Sequence, residues 1–221
     1  MIRESKGNMY EFITHTWNPI KGECQHDCSY CYMKRWGNLN PVRLDEKDFR
    51  TDIGEGNFIF IGSGTDMFAP DIPDEWISKV INKCYEHNKN RYLFQSKNPD
   101  KMLDYFYTME SKFCITLESN IHYKEIMRNS PTPINRVHAV STRNIKIDYI
   151  TIEPILKFDL RPFIDMIEKC EPGQVNIGAD SGHNGLPEPS EEEIQNLIYW
   201  LEYAGIKVFK KKNLKRLTPN L

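Results

Sequence analysis

The chain has 221 residues, 39% of them hydrophobic and 27% charged, which suits one domain with a sizeable core or at most two small ones. Lys and Arg number 29 against 31 Asp and Glu, a formal net charge of −2, so there is no global pull toward nucleic acid or membrane. No stretch approaches the ~18–20 apolar residues needed to span a bilayer, and the opening MIRESKGNMYEF lacks the apolar run of a signal peptide. The expectation is a cytoplasmic protein with no membrane partner.

Short β-branched and aromatic runs recur along the chain: Glu11–Thr16, Asn57–Gly64, Arg91–Lys97, Lys112–Ser119, Asp148–Ile155, Gln174–Asp180 and Ile206–Lys211. They are near-continuously apolar, the pattern of strands buried on both faces of a parallel sheet. Helices are expected between them. Asp74–Asn88 places Trp76, Ile77, Val80, Ile81 and Cys84 at helical spacing behind Pro73. Asn98–Glu110 carries Met102, Leu103, Phe106 and Met109, with Asn98 as cap and Pro99 in the first turn. Asp159–Cys170 fits a further helix. In Ser190–Gly205, Ser190 with Glu193 makes a capping box and Gly205 a stop. The PTP segment (Pro131 to Pro133) and His183–Ser190 read as loops. Repeated strand–helix units imply an α/β fold, and six or seven are fewer than the eight of a closed barrel. The expected architecture is a partial (β/α)6-type TIM barrel with mainly parallel strands, a single domain whose core runs from about residue 11 to 211.

The six cysteines divide into two sets. Cys24, Cys28 and Cys31 are crowded into one polar loop, whereas Cys84 and Cys170 fall on predicted helices and Cys114 on a predicted strand. The scattered three read as small buried residues. Crowded cysteines in a reducing compartment point to metal rather than disulfides. Three thiolates in one loop can hold three corners of a 4Fe-4S cluster, which normally takes four, and so leave one iron open. The alternative is zinc, which asks for a fourth donor such as His26 or His15.

Cys24-x3-Cys28-Ser29-Tyr30-Cys31, following the first predicted strand, resembles the motif of the radical S-adenosylmethionine (SAM) superfamily, including the aromatic residue before the last cysteine. The segments THTWNPIKGEC, FIGSGTDMFAPDIPDEWI, TLESN, TIEPIL, NIGADSG and GIKVFKK are similar to an uncharacterised phage-associated group of radical-SAM-like proteins. The resemblance implies an enzyme in which the open iron takes the amino and carboxylate groups of SAM. A reducing electron then cleaves SAM to a 5'-deoxyadenosyl radical that abstracts hydrogen from a substrate. It also implies an external electron donor of flavodoxin or ferredoxin type.

By position, the resemblance makes Tyr30 a backbone contact to adenine. Gly62, Ser63, Gly64, Thr65 and Asp66 become the turn that meets the SAM amino group. Lys97 becomes a partner of the SAM carboxylate and Glu118 of the ribose hydroxyls. Glu153 stands at a strand end, where parallel barrels build their sites. Trp17 and Asn18 are candidate shields of the cluster, His15 a candidate cavity residue, and Asp180, Ser181 and His183 candidates for the substrate side. Lys207, Lys210, Lys211, Lys212, Lys215 and Arg216 form the one basic concentration and a candidate contact to nucleic acid; Lys210 is expected at the barrel mouth. The substrate class in view is a nucleotide or nucleic acid. The competing reading is a zinc- or iron–sulfur-binding module with a structural or nucleic-acid-binding role.

Overall fold

Each of the apolar runs contains a strand, and the strands join edge to edge in one twisted layer. The computed structural model describes residues 2–6, 9–105, 111–143 and 145–221. In chain order, β1 (Arg3–Glu4) pairs antiparallel with β2 (His15–Trp17). β3 (Ile20–Lys21) and β4 (Arg43–Leu44) form a separate small sheet that brackets the cysteine loop. Then follow α1 (Glu46–Phe49), β5 (Phe58–Ile61), α2 (Asp74–Glu86), β6 (Arg91–Ser96), α3 (Pro99–Met102) and β7 (Ser111–Thr116). The remainder is α4 (Lys124–Met127), α5 (Pro133–Thr142), β8 (Tyr149–Ile152), α6 (Leu160–Glu168), β9 (Gln174–Ile177), α7 (Glu191–Tyr203) and β10 (Lys207–Lys210). The main sheet has eight strands in the order β1-β2-β5-β6-β7-β8-β9-β10, parallel throughout except for β1. It does not close; β1 and β10 are its edges. Among the described residues no helix is long and apolar enough to cross a membrane.

Both faces of the sheet are buried, which is why the strands read as unbroken apolar runs rather than alternating ones. Ile59, Ile61, Tyr92, Phe94, Ile115, Ile150 and Ile152 pack outward against the helices. Phe58, Phe60, Leu93 and Cys114 point to the concave face, where Tyr10 and Ile13 cover them. The strand expected from Glu11, β2, therefore begins at His15. The preceding residues turn instead, with Ile13 N–H donating to Tyr10 O at 3.0 Å, and plug the floor of the barrel. Toward the C-terminal strand ends the concave residues become polar: Gln95, Thr116, Thr151 and Glu153.

The capping box at Ser190 and Glu193 is present, and Gly205 follows α7 with φ +79°. Asn98 caps no backbone N–H with its side chain; its Nδ2 donates to Phe68 O at 2.9 Å. The predicted residues Phe106 and Met109 lie outside the described residues. α5 is an addition to the expected elements. The PTP segment starts it, Thr132 accepting from Asn135 N–H at 3.3 Å and Pro133 occupying the first turn.

Candidate functional site

Cys24, Cys28 and Cys31 all line one cavity of about 890 Å³ at the C-terminal ends of the strands. Backbone bonds shape their loop into two tight turns, Asp27 N–H to Cys24 O (3.0 Å) and Cys31 N–H to Cys28 O (3.2 Å). Asp27 sits at φ +49°, a conformation that aspartate tolerates better than most residues. The loop is pinned from outside by Ser29 N–H to Ile126 O (2.9 Å) and Asn129 N–H to His26 O (3.1 Å). Arg128 also pairs with Asp27. Cys28 is buried beside Ser130 Oγ at 3.4 Å. Burial and the neighbouring Asp66 charge push the Cys24 thiol up to about 12.

The Gly62–Thr65 turn faces this loop. Gly62 has φ +73°, and a Cβ there would lie 3.0 Å from Thr65 O, so the turn needs glycine. Asn18 Oδ1 accepts from Gly64 N–H (3.1 Å) and Ser63 Oγ (3.2 Å). Tyr32 OH donates to Ser63 O (3.0 Å), and Thr65 Oγ1 to Gly22 O (2.9 Å). Asn18 thus orders the turn, while Trp17 belongs to the core, fully buried with Nε1–H on Asp48 O (2.9 Å).

Two expected cofactor contacts prove to be committed within the protein. Asp66 accepts from His26 Nε2 (2.9 Å), Ser96 Oγ (2.9 Å), Lys97 N–H (2.8 Å) and Phe68 N–H (3.0 Å). Burial would raise its pKa, but His26 and the backbone donors outweigh that and hold it at about 2. Its carboxylate latches the cysteine loop to the ends of β5 and β6. Glu118 is 0% exposed and does not line the cavity. One oxygen takes the Tyr30 hydroxyl, the other Arg136 Nη1 at 2.7 Å. It supports Tyr30 and is out of reach of a ribose.

Lys97 lines the cavity as expected. Its Nζ lies 5.5 Å from the Tyr30 ring centroid, and among the described residues no hydrogen bond or ion pair reaches it. Burial pushes its pKa down, but the facing Cys28 and Glu118 charges outweigh that and hold it above the usual lysine value. Glu153 also lines the cavity, bound by Lys211 Nζ and by Asn213 Nδ2 (2.7 Å). A Cβ on Gly178 would stand 2.8 Å from Glu153 Oε1, so glycine makes room for that carboxylate. The lysine at the mouth is therefore Lys211, not Lys210, which is exposed on edge strand β10.

Asp180 and Ser181 line the cavity, whereas His183 faces a shallow neighbouring pocket with Lys212 and Arg216. His15 bonds Thr14 Oγ1 (3.0 Å) and is not among the lining residues. Cys84, Cys114 and Cys170 are buried core residues with free thiols.

Sequence reasoning missed Arg136, Tyr10 and Thr116. Tyr10 hydroxyl donates to Gln95 Oε1 (2.7 Å) and bonds Thr151 on the cavity floor.

The donor set distinguishes the metals. His26 Nε2 is engaged by Asp66, and among the described residues no three His, Cys, Asp or Glu side chains gather closely enough to hold a single ion. Zinc requires four donors in one coordination sphere. The thiolates of a cubane cluster each take a different iron, so three cysteines lining one cavity are a donor set that a cluster with one open iron would fit.

A family model described as a protein of unknown function (DUF5131) matches residues 8–196, and the chain belongs to that family. No curated protein matches the sequence. Solved structures of spore photoproduct lyase share the fold. A variant with bound AdoMet and dinucleoside spore photoproduct aligns at TM-score 0.63 and 11% identity over 92% of this chain and 78% of that one. A complex with the dinucleoside spore photoproduct aligns at TM-score 0.62 and 11% identity, with the same coverage. A further variant aligns at 0.62 and 11% over 95% of this chain and 80% of that one. The fold is the partial barrel of radical SAM enzymes.

Proposed function

We propose that this member of the DUF5131 family is a cytoplasmic radical SAM enzyme in which Cys24, Cys28 and Cys31 hold a 4Fe-4S cluster and SAM binds beside it. The observation that carries the reading is the opening of all three loop thiols and the uncommitted Lys97 ammonium onto one cavity. Such a cluster supplies one-electron reductive cleavage of SAM and, through it, hydrogen abstraction from a substrate. The electron comes from a flavodoxin- or ferredoxin-type carrier. Lys97 offers a charge-assisted bond to the SAM carboxylate. The Gly62–Thr65 turn lets the amino group approach the main chain. Tyr30 flanks the adenosine by its backbone, and Glu153 with Lys211 forms the wall left for ribose or substrate. A nucleotide or nucleic acid is the substrate class in view; Lys207, Lys210, Lys212 and Lys215 are the exposed cations of the C-terminal segment available to phosphates. A phage setting rests on the sequence segments alone.

Anaerobic reconstitution with iron and sulfide should give a brown protein with broad visible absorbance. Reductant and SAM should then release 5'-deoxyadenosine and methionine. A colourless protein holding a single zinc after the same treatment sinks the reading. Lys97→Met should leave the colour and weaken SAM binding roughly ten- to hundredfold, the loss of one hydrogen bond to a charged group. Equilibrium binding to the reconstituted protein measures it, and an unchanged affinity removes Lys97 from the site.

A further inference from the structure

We propose that Arg136 is a positioning residue for the cofactor: by neutralising Glu118 it leaves the Lys97 ammonium free for the SAM carboxylate. The inference rests on the radical SAM reading above. Arg136 and Glu118 are both 0% exposed, with Nη1 of the one 2.7 Å from Oε2 of the other. The guanidinium is fixed further by Pro131 O at Nε (2.7 Å) and Thr116 O at Nη1 (2.8 Å).

Tyr30 joins this pair to Lys97, its hydroxyl on Glu118 and its ring 5.5 Å from Nζ. Two cations therefore face one buried carboxylate, Arg136 in direct contact at 2.7 Å and Lys97 across the Tyr30 ring. A buried carboxylate cannot stay without a partner. Lys97 has a long flexible stem and is otherwise uncommitted, so it is the group that would turn to Glu118 if Arg136 were lost.

The test is SAM affinity of the reconstituted protein in a cycle of variants, with visible absorbance confirming that the cluster is present. Arg136→Met should weaken SAM binding about tenfold, the effect of diverting one charge-assisted bond. Arg136→Lys keeps the charge beside Glu118 but loses the fixed guanidinium fork, and should bind SAM more tightly than Arg136→Met and less tightly than the unaltered chain. Glu118→Gln removes the competing charge, and Arg136→Met/Glu118→Gln should bind like Glu118→Gln alone. An Arg136 that acts only by packing α5 predicts the opposite, no recovery in the double variant.

Where Arg136→Met does not accumulate folded, the Glu118→Gln background carries the comparison. A tenfold loss on adding Arg136→Met there overturns the proposal, and so does an Arg136→Met protein that binds SAM at full affinity. An unaltered chain that takes up a cluster and binds no SAM overturns the radical SAM reading itself, and this inference with it.

Discussion

Arg136→Met should cost the fold about 3–5 kcal/mol and lower its Tm by roughly 6–20 °C, read by thermal and urea denaturation against the unaltered chain in the same metal state. The size follows from what is left behind. Glu118 has no exposure, and of its two direct side-chain partners only the Tyr30 hydroxyl would remain, with the Lys97 ammonium an incomplete substitute for the fixed guanidinium. Two backbone carbonyls, Thr116 O and Pro131 O, would lose the donors that Arg136 supplies. Removing one member of a buried pair strands a charge, whereas removing both charges does not. Arg136→Met/Glu118→Gln should therefore be more stable than Arg136→Met. If it is no more stable, the cost lies in packing of α5 and not in the ion pair. Glu118→Gln alone should also be less stable than the double variant, since the amide fills the same space but strands the buried Arg136 guanidinium and offers one acceptor oxygen where the carboxylate had two.

The part of this architecture that is local was legible in the sequence. The apolar runs marked the strands because burial on both faces leaves no alternation to be misread. α7 announced itself through Ser190, Glu193 and Gly205, all in or directly flanking one helix. α5 escaped, although Thr132 and Pro133 are sound start signals. Its buried face includes the charge of Arg136, which breaks the apolar stripe that identifies a helix. The cysteine loop was legible because its ligands sit within a few residues of one another. The contacts that make it a site join distant points: His26 to Asp66 across 40 positions, Lys211 to Glu153 across 58, Arg136 to Glu118 across 18. Such pairs leave no periodic trace. Asp66 and Glu118 were therefore assigned to the cofactor when their carboxylates serve the loop and Tyr30.

Cys28→Ala should abolish the visible absorbance of the reconstituted protein and reduce 5'-deoxyadenosine formation to background, because two thiolates cannot retain a cubane that normally takes four. Cys84→Ala and Cys170→Ala should keep both, since those thiols are enclosed among core side chains behind the sheet. The same variants separate a catalytic cluster from a structural zinc. A structural zinc supplies folding energy outright, so losing one ligand would melt the loop. The loop has protein anchors besides its thiols: Ser29 N–H on Ile126 O, Asn129 N–H on His26 O, the His26–Asp66 pair and Arg128 on Asp27. Metal-free Cys28→Ala should therefore match the metal-free unaltered chain in circular dichroism and lie within a few degrees of it in Tm. Collapse of the variant's fold, or colour that survives the substitution, would contradict the assignment of Cys28 as a cluster ligand in a preformed site.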